Sequence, residues 1–551
     1  MPPHRHPLLA LLPLQLAAML ALAPAAAPAQ PDHEHSHALP EKLGRVHFAT
    51  SCASAVQPDF ERGVALLHSF GYGQASSAFL AVAVLDPPCA MAEWGIAMSN
   101  FHVIWGPPTE AELAAGRIAA QRAAAIPAGS ERERDYVAAI NAFYQGDGVA
   151  HPARVLAFEQ AMAKVAERHP EDHEAAIFHA LALLGVAYNS PPDKTYARQK
   201  QAAGILNRLL PLEPEHPGIA HYLIHSFDYP GLAELALPAA RAYARIAPSS
   251  PHALHMPSHI FTRLGLWQES IDSNLASEKA AAQSVAKARP GAMSFDGLHA
   301  MDYLEYAYLQ TGRDAEARQV VQAAARVTSL DAPSFAAGYA LAAIPARFAL
   351  ERRAWKEAAG LALGPPSFPW DRFAYAEAIV HFARAVGAAR SGGLDTARAA
   401  VGRLAAIQSA LQGQQGFDWA TQVEIQRRAA AGWVARAEKH DDAAVTLLRS
   451  AADLEDTSDK HPVTPGSVLP AREQLADLLA ELGRPGAALA EYEASLRMAP
   501  ARFRSVWGAA QAADQSGNAA KARTYYAKLV ELGGGGESAR SEIAQARSRL
   551  Q

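Results

Sequence analysis

Cysteine is nearly absent. The chain holds two, Cys52 and Cys89, spaced 37 residues apart, which excludes a C-x-x-C dithiol centre. Aromatic residues are also few, at 8%, and no extended Val/Ile/Thr alternation occurs, which excludes a sheet-rich fold. The formal charge of −5 comes with no long basic run, so nothing electrostatic points to nucleic acid or an anionic membrane as partner. The two H-x3-H motifs of the repeats enclose Tyr-Leu-Ile and Met-Pro-Ser and so lack the glutamate of H-E-x-x-H, and the G-x-S-x-G and P-loop signatures are missing; the usual arguments for a zinc protease at those motifs, a serine hydrolase or an NTPase go with them. Beyond the first thirty residues no apolar stretch reaches the ~20 residues that a membrane helix needs.

What is present is helical. Half of the residues are hydrophobic and alanine is abundant throughout. Leu475, Gly483, Ala488, Tyr492 and Pro500 stand at signature positions of the tetratricopeptide (TPR) repeat, and Gly517, Ala522 and Tyr526 repeat three of them 34 residues later. Near the start, Phe60, Gln74, Ala75, Phe79, Ala83, Asp86 and Pro87 match the A-x3-F…P half of the same pattern. Between these ends, helical patterns at 130–147, 153–168, 173–189 and 196–210, then 299–326, 335–362, 373–390 and 393–412, predict antiparallel pairs. The expected fold is all-α, a TPR-type solenoid of antiparallel helix pairs stacked into a right-handed superhelix. Its expected divisions are an N-terminal array at 44–330 with a histidine-rich groove, middle helical repeats at 331–460, and C-terminal repeats with a capping helix at 461–551. Pro365-Pro366 and the stretch from Glu455 to Pro470 break the pattern and are expected as joints or functional loops.

Residues 1–29 have the layout of a secretory signal peptide. Arg5 supplies the positive charge, Leu8 to Ala23 an apolar stretch, and Ala27-Pro28-Ala29 the small-x-small pattern that favours cleavage before Gln30. The expected location is therefore periplasmic or secreted, without a stable membrane span. Residues 30–43 are expected to form a mobile arm in which His33, His35 and His37 could capture metal weakly. In an oxidising compartment a structural disulfide between Cys52 and Cys89 is expected.

The most informative motif occurs twice. His221-Tyr222-Leu223-Ile224-His225-Ser226-Phe227 and His255-Met256-Pro257-Ser258-His259-Ile260-Phe261 both read H-x3-H-x-F, one 34-residue repeat apart. Residues four apart share a helix face, so each copy presents two imidazoles in one direction. With Pro214 and Pro248 closing the preceding repeats, the four histidines fall at groove-facing positions, as does His252. Counting back from Gly312 places His299 and Asp302 where His252 and His255 stand, with Tyr306 in place of His259. Neighbouring helices pack at ~8–10 Å, close enough for imidazoles from two of them to meet at one ion. His221, His225, His255 and His259 are thus the expected metal ligands. His252, His299 and Asp302 are expected as additional ligands or as partners that orient them. His68, His102, Tyr306, Lys460 and His461 are candidate groove contacts, whereas His151, His169, His381 and His440 are expected to be surface or satisfied groups.

The stretch from Ser51 to Pro108, including Leu66 to Phe79 (LLHSFGYGQASSAF), Cys89 to His102 (CAMAEWGIAMSNFH) and Trp105, resembles exported bacterial TPR-repeat proteins without an assigned reaction. The resemblance runs on through the histidine repeats and the block from Leu469 to Pro500. It implies a TPR fold and carries no reaction, ligand or partner with it. Imidazole suits zinc, copper, iron and nickel alike, so the residues select none of them. Two functions stay open: a transition-metal protein, which a fourth ligand position open to water would make a metalloenzyme, or a periplasmic scaffold that holds a peptide, protein or small molecule in its concave groove.

Overall fold

Prolines start many of the helices, because a first-turn residue needs no N–H and a fixed φ suits helix entry. Pro217, Pro251, Pro257 and Pro485 all stand at such positions. The computed structural model describes residues 41–551 except 128, 415 and 535–537. The expected signal peptide and residues 30–40 of the expected arm lie outside the described residues. Among those residues no strand forms, and β-pairing is limited to one isolated bridge between Met293 and Leu330. The fold is a TPR-type helical-repeat solenoid of antiparallel pairs. The pattern at 299–326 resolves into Phe295–Gln310 and Asp314–Ala325, and that at 335–362 into Phe335–Glu351 and Trp355–Ala359. The expected break at Glu455 starts later, since a helix runs over Asp441–Thr457.

Eight helices position the site: α1 (Gln57–His68), α2 (His173–Tyr188), α3 (Pro217–Phe227), α4 (Pro251–His255), α5 (Pro257–Leu264), α6 (Trp267–Ala288), α7 (Phe295–Gln310) and α8 (Phe335–Glu351). Buried apolar side chains form two cores, one from Leu43 to Phe261 and one from Trp267 to Ala546, within a single unit Lys42–Gln551. The change of core falls at the end of α5. Cys52 and Cys89 are joined as a disulfide beside the first of these cores.

The C-terminal repeats fold back onto α6 and α7. Gly265, at φ 70°, ends α5 in a conformation that favours glycine, and a Cβ there would meet Pro500 O at 2.7 Å. The Trp267 indole N–H donates to the Ala501 carbonyl at 2.9 Å. Deeper in, Arg347 pairs with Asp302 (2.6 Å) and Glu305 (3.1 Å), and Arg502 holds Glu473 through two bonds of 2.8 and 2.9 Å. These charges are fully buried; Arg502 and Glu473 are hydrogen-bonded to each other, whereas Arg347 Nε and Nη2, Asp302 Oδ2 and Glu305 Oε1 lack a hydrogen-bond partner, so that group relies on mutual attraction to offset its desolvation. Arg347 thus ties α8 to α7, and Arg502 ties the C-terminal repeats to Glu351 at the end of α8 at 2.5 Å. Among the described residues no helix is long and apolar enough to cross a membrane.

Candidate metal centre

Both histidine motifs form as their spacing predicts. In α3 the Nε2 atoms of His221 and His225 stand 3.1 Å apart. The second copy crosses a break, because Pro257 cannot continue the backbone ladder of α4. Met256 keeps helical angles (φ −52°, ψ −35°), so the four-residue step survives and the Nε2 atoms of His255 and His259 stand 3.0 Å apart.

The four histidines do not meet at one point. They divide into two triads, each an H-x3-H pair completed from the next repeat. His252 of α4 joins the first pair, its Nε2 3.1 Å from that of His221, and His299 of α7 joins the second, its ring centroid 4.1 Å from that of His255. Within each triad the ligand atoms lie within 4.8 Å of one another. His252 and His299, expected as accessories, are full members. The triads adjoin, with ring centroids 6.2 Å apart for His225 and His259 and 6.3 Å apart for His252 and His255.

Nor do these side chains line an open groove. None of the six exceeds 7% exposure. Phe70 lies against His221 at 4.3 Å between centroids, and Tyr303 against His255 at 4.8 Å and His259 at 4.9 Å. Phe70 takes φ 55°, a left-handed conformation that costs a bulky residue ~1–2 kcal/mol, and it places the ring over the first triad. Segment 461–463 lies over both triads. It lines, with Trp105, Phe335 and four of the histidines, a cavity of about 20 Å³.

The outer nitrogens decide the tautomers. His221 donates from Nδ1 to the carbonyl of His68 at 2.6 Å. His255 donates from Nδ1 to Asn274 Oδ1 at 2.7 Å, and the Asn274 amide is oriented by its own donation to the Ser270 carbonyl at 2.7 Å. His259 donates from Nδ1 to Asp228 at 3.1 Å. Each of these partners accepts only, so the Nε2 of each ring carries a lone pair. Outer partners of this kind are the ones that aim imidazoles at metals.

Burial dominates the electrostatics. It lowers the pKa of all six imidazoles, His221 to about 3, and for His225, His252, His255 and His299 the neighbouring histidines push the same way. For His259 burial outweighs the opposing pull of Asp228. Burial would raise the Asp228 carboxyl, but Lys460 (3.0 Å) and Arg263 (2.8 Å) outweigh it and hold the group well below its usual range. Burial brings Lys460 down to about 8 against the attraction of Asp228. Asp228 directly follows the first H-x3-H-x-F copy, a position that could have marked it.

The other candidates scatter. Asp302 is taken by Arg347 and joins neither triad. His68 bonds Glu174 at 2.9 Å and Tyr222 at 2.9 Å, and it reaches the centre only through its carbonyl. His102 packs on Tyr72 at 4.6 Å, and Tyr306 accepts from Arg502 at 3.3 Å beside a separate cavity of about 160 Å³. Lys460 reaches the centre through Asp228, and His461 stacks on Trp419 at 5.2 Å while lining the small cavity. His151 departs from expectation, since it is buried and its Nε2 lacks a hydrogen-bond partner. Sequence reasoning missed Asp228, Asn274, Tyr303, Phe70 and the Glu174–His216 pair. Asn274 and Tyr303 belong to ordinary helical patterns and carried no signal.

No protein-family model matches the chain, and no curated protein matches it. Among solved structures it is similar to human IFIT1 in complex with m7Gppp-AAAA, at 12% identity and TM-score 0.37, covering 81% of this chain and 90% of that one. It is similar to yeast Tom70 at 11% identity and TM-score 0.28, covering 90% and 95%. A third is Cut9 in the APC/C Cut9–Hcn1 hetero-tetramer, at 10% identity and TM-score 0.30, covering 88% and 95%. Likenesses this distant say nothing about a ligand.

Proposed function

We propose that this chain is an exported metalloprotein whose two histidine triads each bind one transition-metal ion, forming a buried two-ion centre. The observation that carries the reading is the contact between His255 and His259. Asn274 and Asp228 occupy their Nδ1 donors, so two lone pairs face each other at 3.0 Å. Two acceptors at that distance repel, and a cation shared between them turns repulsion into attraction. A proton is the poorer cation, because a buried imidazolium is costly. A tetrahedral ion with bonds of 2.0–2.1 Å sets its nitrogens about 3.3 Å apart, close to what the chain already supplies. In the first triad only His221 has its Nδ1 tied to an acceptor, while His252 Nδ1 has no hydrogen-bond partner and His225 Nδ1 lies 3.4 Å from the Tyr188 hydroxyl, so the second ion rests on the clustering of three imidazole nitrogens alone.

Three protein ligands per ion are characteristic of reactive sites rather than structural ones, which use four. The reading is therefore a metalloenzyme centre. Buried imidazoles offer no open groove to a peptide at this place, which weighs against the scaffold reading there. Export rests on the signal-like residues 1–29 and on the Cys52–Cys89 disulfide. Untagged protein from its natural host, analysed by elemental mass spectrometry, should carry two transition-metal ions per chain and begin at Gln30. Protein that stays metal-free after dialysis against zinc, copper, nickel and iron would refute the centre. An intact N-terminus would refute export alone.

A further inference from the structure

Both triads consist of imidazole alone. No carboxylate or thiolate joins either group of ligand atoms, and the carboxylate that bonds a triad member from outside, Asp228, is already shared by His259, Arg263 and Lys460. The donor set is therefore neutral, and any charge the ions bring stays uncompensated in a buried, aromatic-walled place. The cost of burying an ion grows with the square of its charge, so two monovalent ions are far cheaper here than two divalent ones. Imidazole suits zinc, copper, iron and nickel, and of these copper has a stable monovalent state.

The cavity beside the triads narrows what can meet such ions. At about 20 Å³ it accommodates one small molecule, and His225, His252, His259 and His299 form one part of its wall. Trp105, Met256, Phe335 and Val463 contribute apolar surface to the rest. A small apolar molecule suits such a wall better than a polar metabolite.

Resting on the two-ion reading above, we infer that the centre takes two copper(I) ions and that the small cavity admits dioxygen, which the pair reduces by two electrons. The balance closes without a further reagent. Each copper(I) gives up one electron and becomes copper(II), and dioxygen accepts both and reaches the peroxide level with its O–O bond intact. The charge of the centre is unchanged: two added positive charges on the metals meet two negative charges on the reduced oxygen. A neutral donor set buried from water favours a reaction that leaves the total charge constant.

The test uses the full chain, stripped of metal and loaded without oxygen with copper(I) as its acetonitrile complex. The expected result is two copper(I) per chain, one per triad, followed on aeration by uptake of one dioxygen for each pair and no paramagnetic signal from isolated copper(II). Binding of two zinc ions with no uptake of copper(I) would overturn this inference and leave the two-ion centre standing, whereas failure to bind any metal would remove both. Copper(I) that binds and stays inert to oxygen, or that oxidises to isolated copper(II), also overturns it. Val463→Phe, which fills the cavity without replacing a ligand, should still bind two copper ions while its oxygen uptake slows about ten-fold. An unchanged rate with full copper occupancy would show that oxygen does not use this cavity.

Discussion

Two clusters of buried histidines adjoin α3, one through Tyr222 and the other through His225, and differ in one respect. In the first, Glu174 sits between His68 and His216 and accepts from both rings at 2.9 Å, so donor meets acceptor within the chain. In the second, His255 and His259 turn lone pairs toward each other with no carboxylate between them. One carboxylate separates a cluster whose facing atoms are hydrogen-bonded from one whose facing lone pairs a cation would join on the reading proposed above. On that reading the signal for metal is not the clustering of histidine but the direction in which the outer nitrogens are tied.

The largest effect should come from breaking the finished cluster. Glu174→Ala strands two buried imidazoles and should cost about 3–5 kcal/mol in urea or thermal unfolding, while the folded fraction keeps its metal content. His259→Ala should do the reverse. It removes one ion per chain by elemental analysis and forfeits the stabilisation that metal supplies, ~2.7 kcal/mol at a hundred times Kd. Because the ring is buried, its cavity adds a loss of stability in the metal-free protein as well.

Asp228→Asn sharpens the comparison more gently. The amide can still accept from His259, but Arg263 and Lys460 lose their counter-charge and the imidazole becomes a weaker donor to metal. Affinity should fall about 10–100-fold in competition with a chelator, with two ions still bound at saturation. The effect smallest at neutral pH concerns His151, which lies outside both clusters. Burial, with Arg154 adding to it, lowers this group to about 4, so the unfolded chain takes up its proton first as the pH falls through ~6.5. Its contribution is present above that pH and is lost progressively down to about 4. His151→Phe should flatten the stability profile across this window by about 1.4 kcal/mol per pH unit, read by urea unfolding of metal-free protein.

Much of this protein was legible in its residues. The 34-residue recurrence of Gly483, Ala488 and Tyr492 announced helix pairs, because a repeat packs only on its neighbours and period alone specifies the unit. The two H-x3-H motifs announced paired imidazoles, since a helix brings residues four apart together whatever surrounds it, and the pair at His255 and His259 survives even the break at Pro257. The register that aligned His299 with His252 already held the rule that each completes the pair before it. What the tertiary structure decided was how pairs combine and whether water reaches them. The split into triads depends on how far α4 and α7 lean toward the preceding repeat, which is a matter of packing and not of spacing. Burial depends on Phe70, held at φ 55°, and on segment 461–463, brought from far along the chain to the histidines. Asn274 and Asp228 fix which nitrogen is free, and no local pattern carries that information. Periodicity determines which side chains share a face; long-range packing alone determines what that face meets.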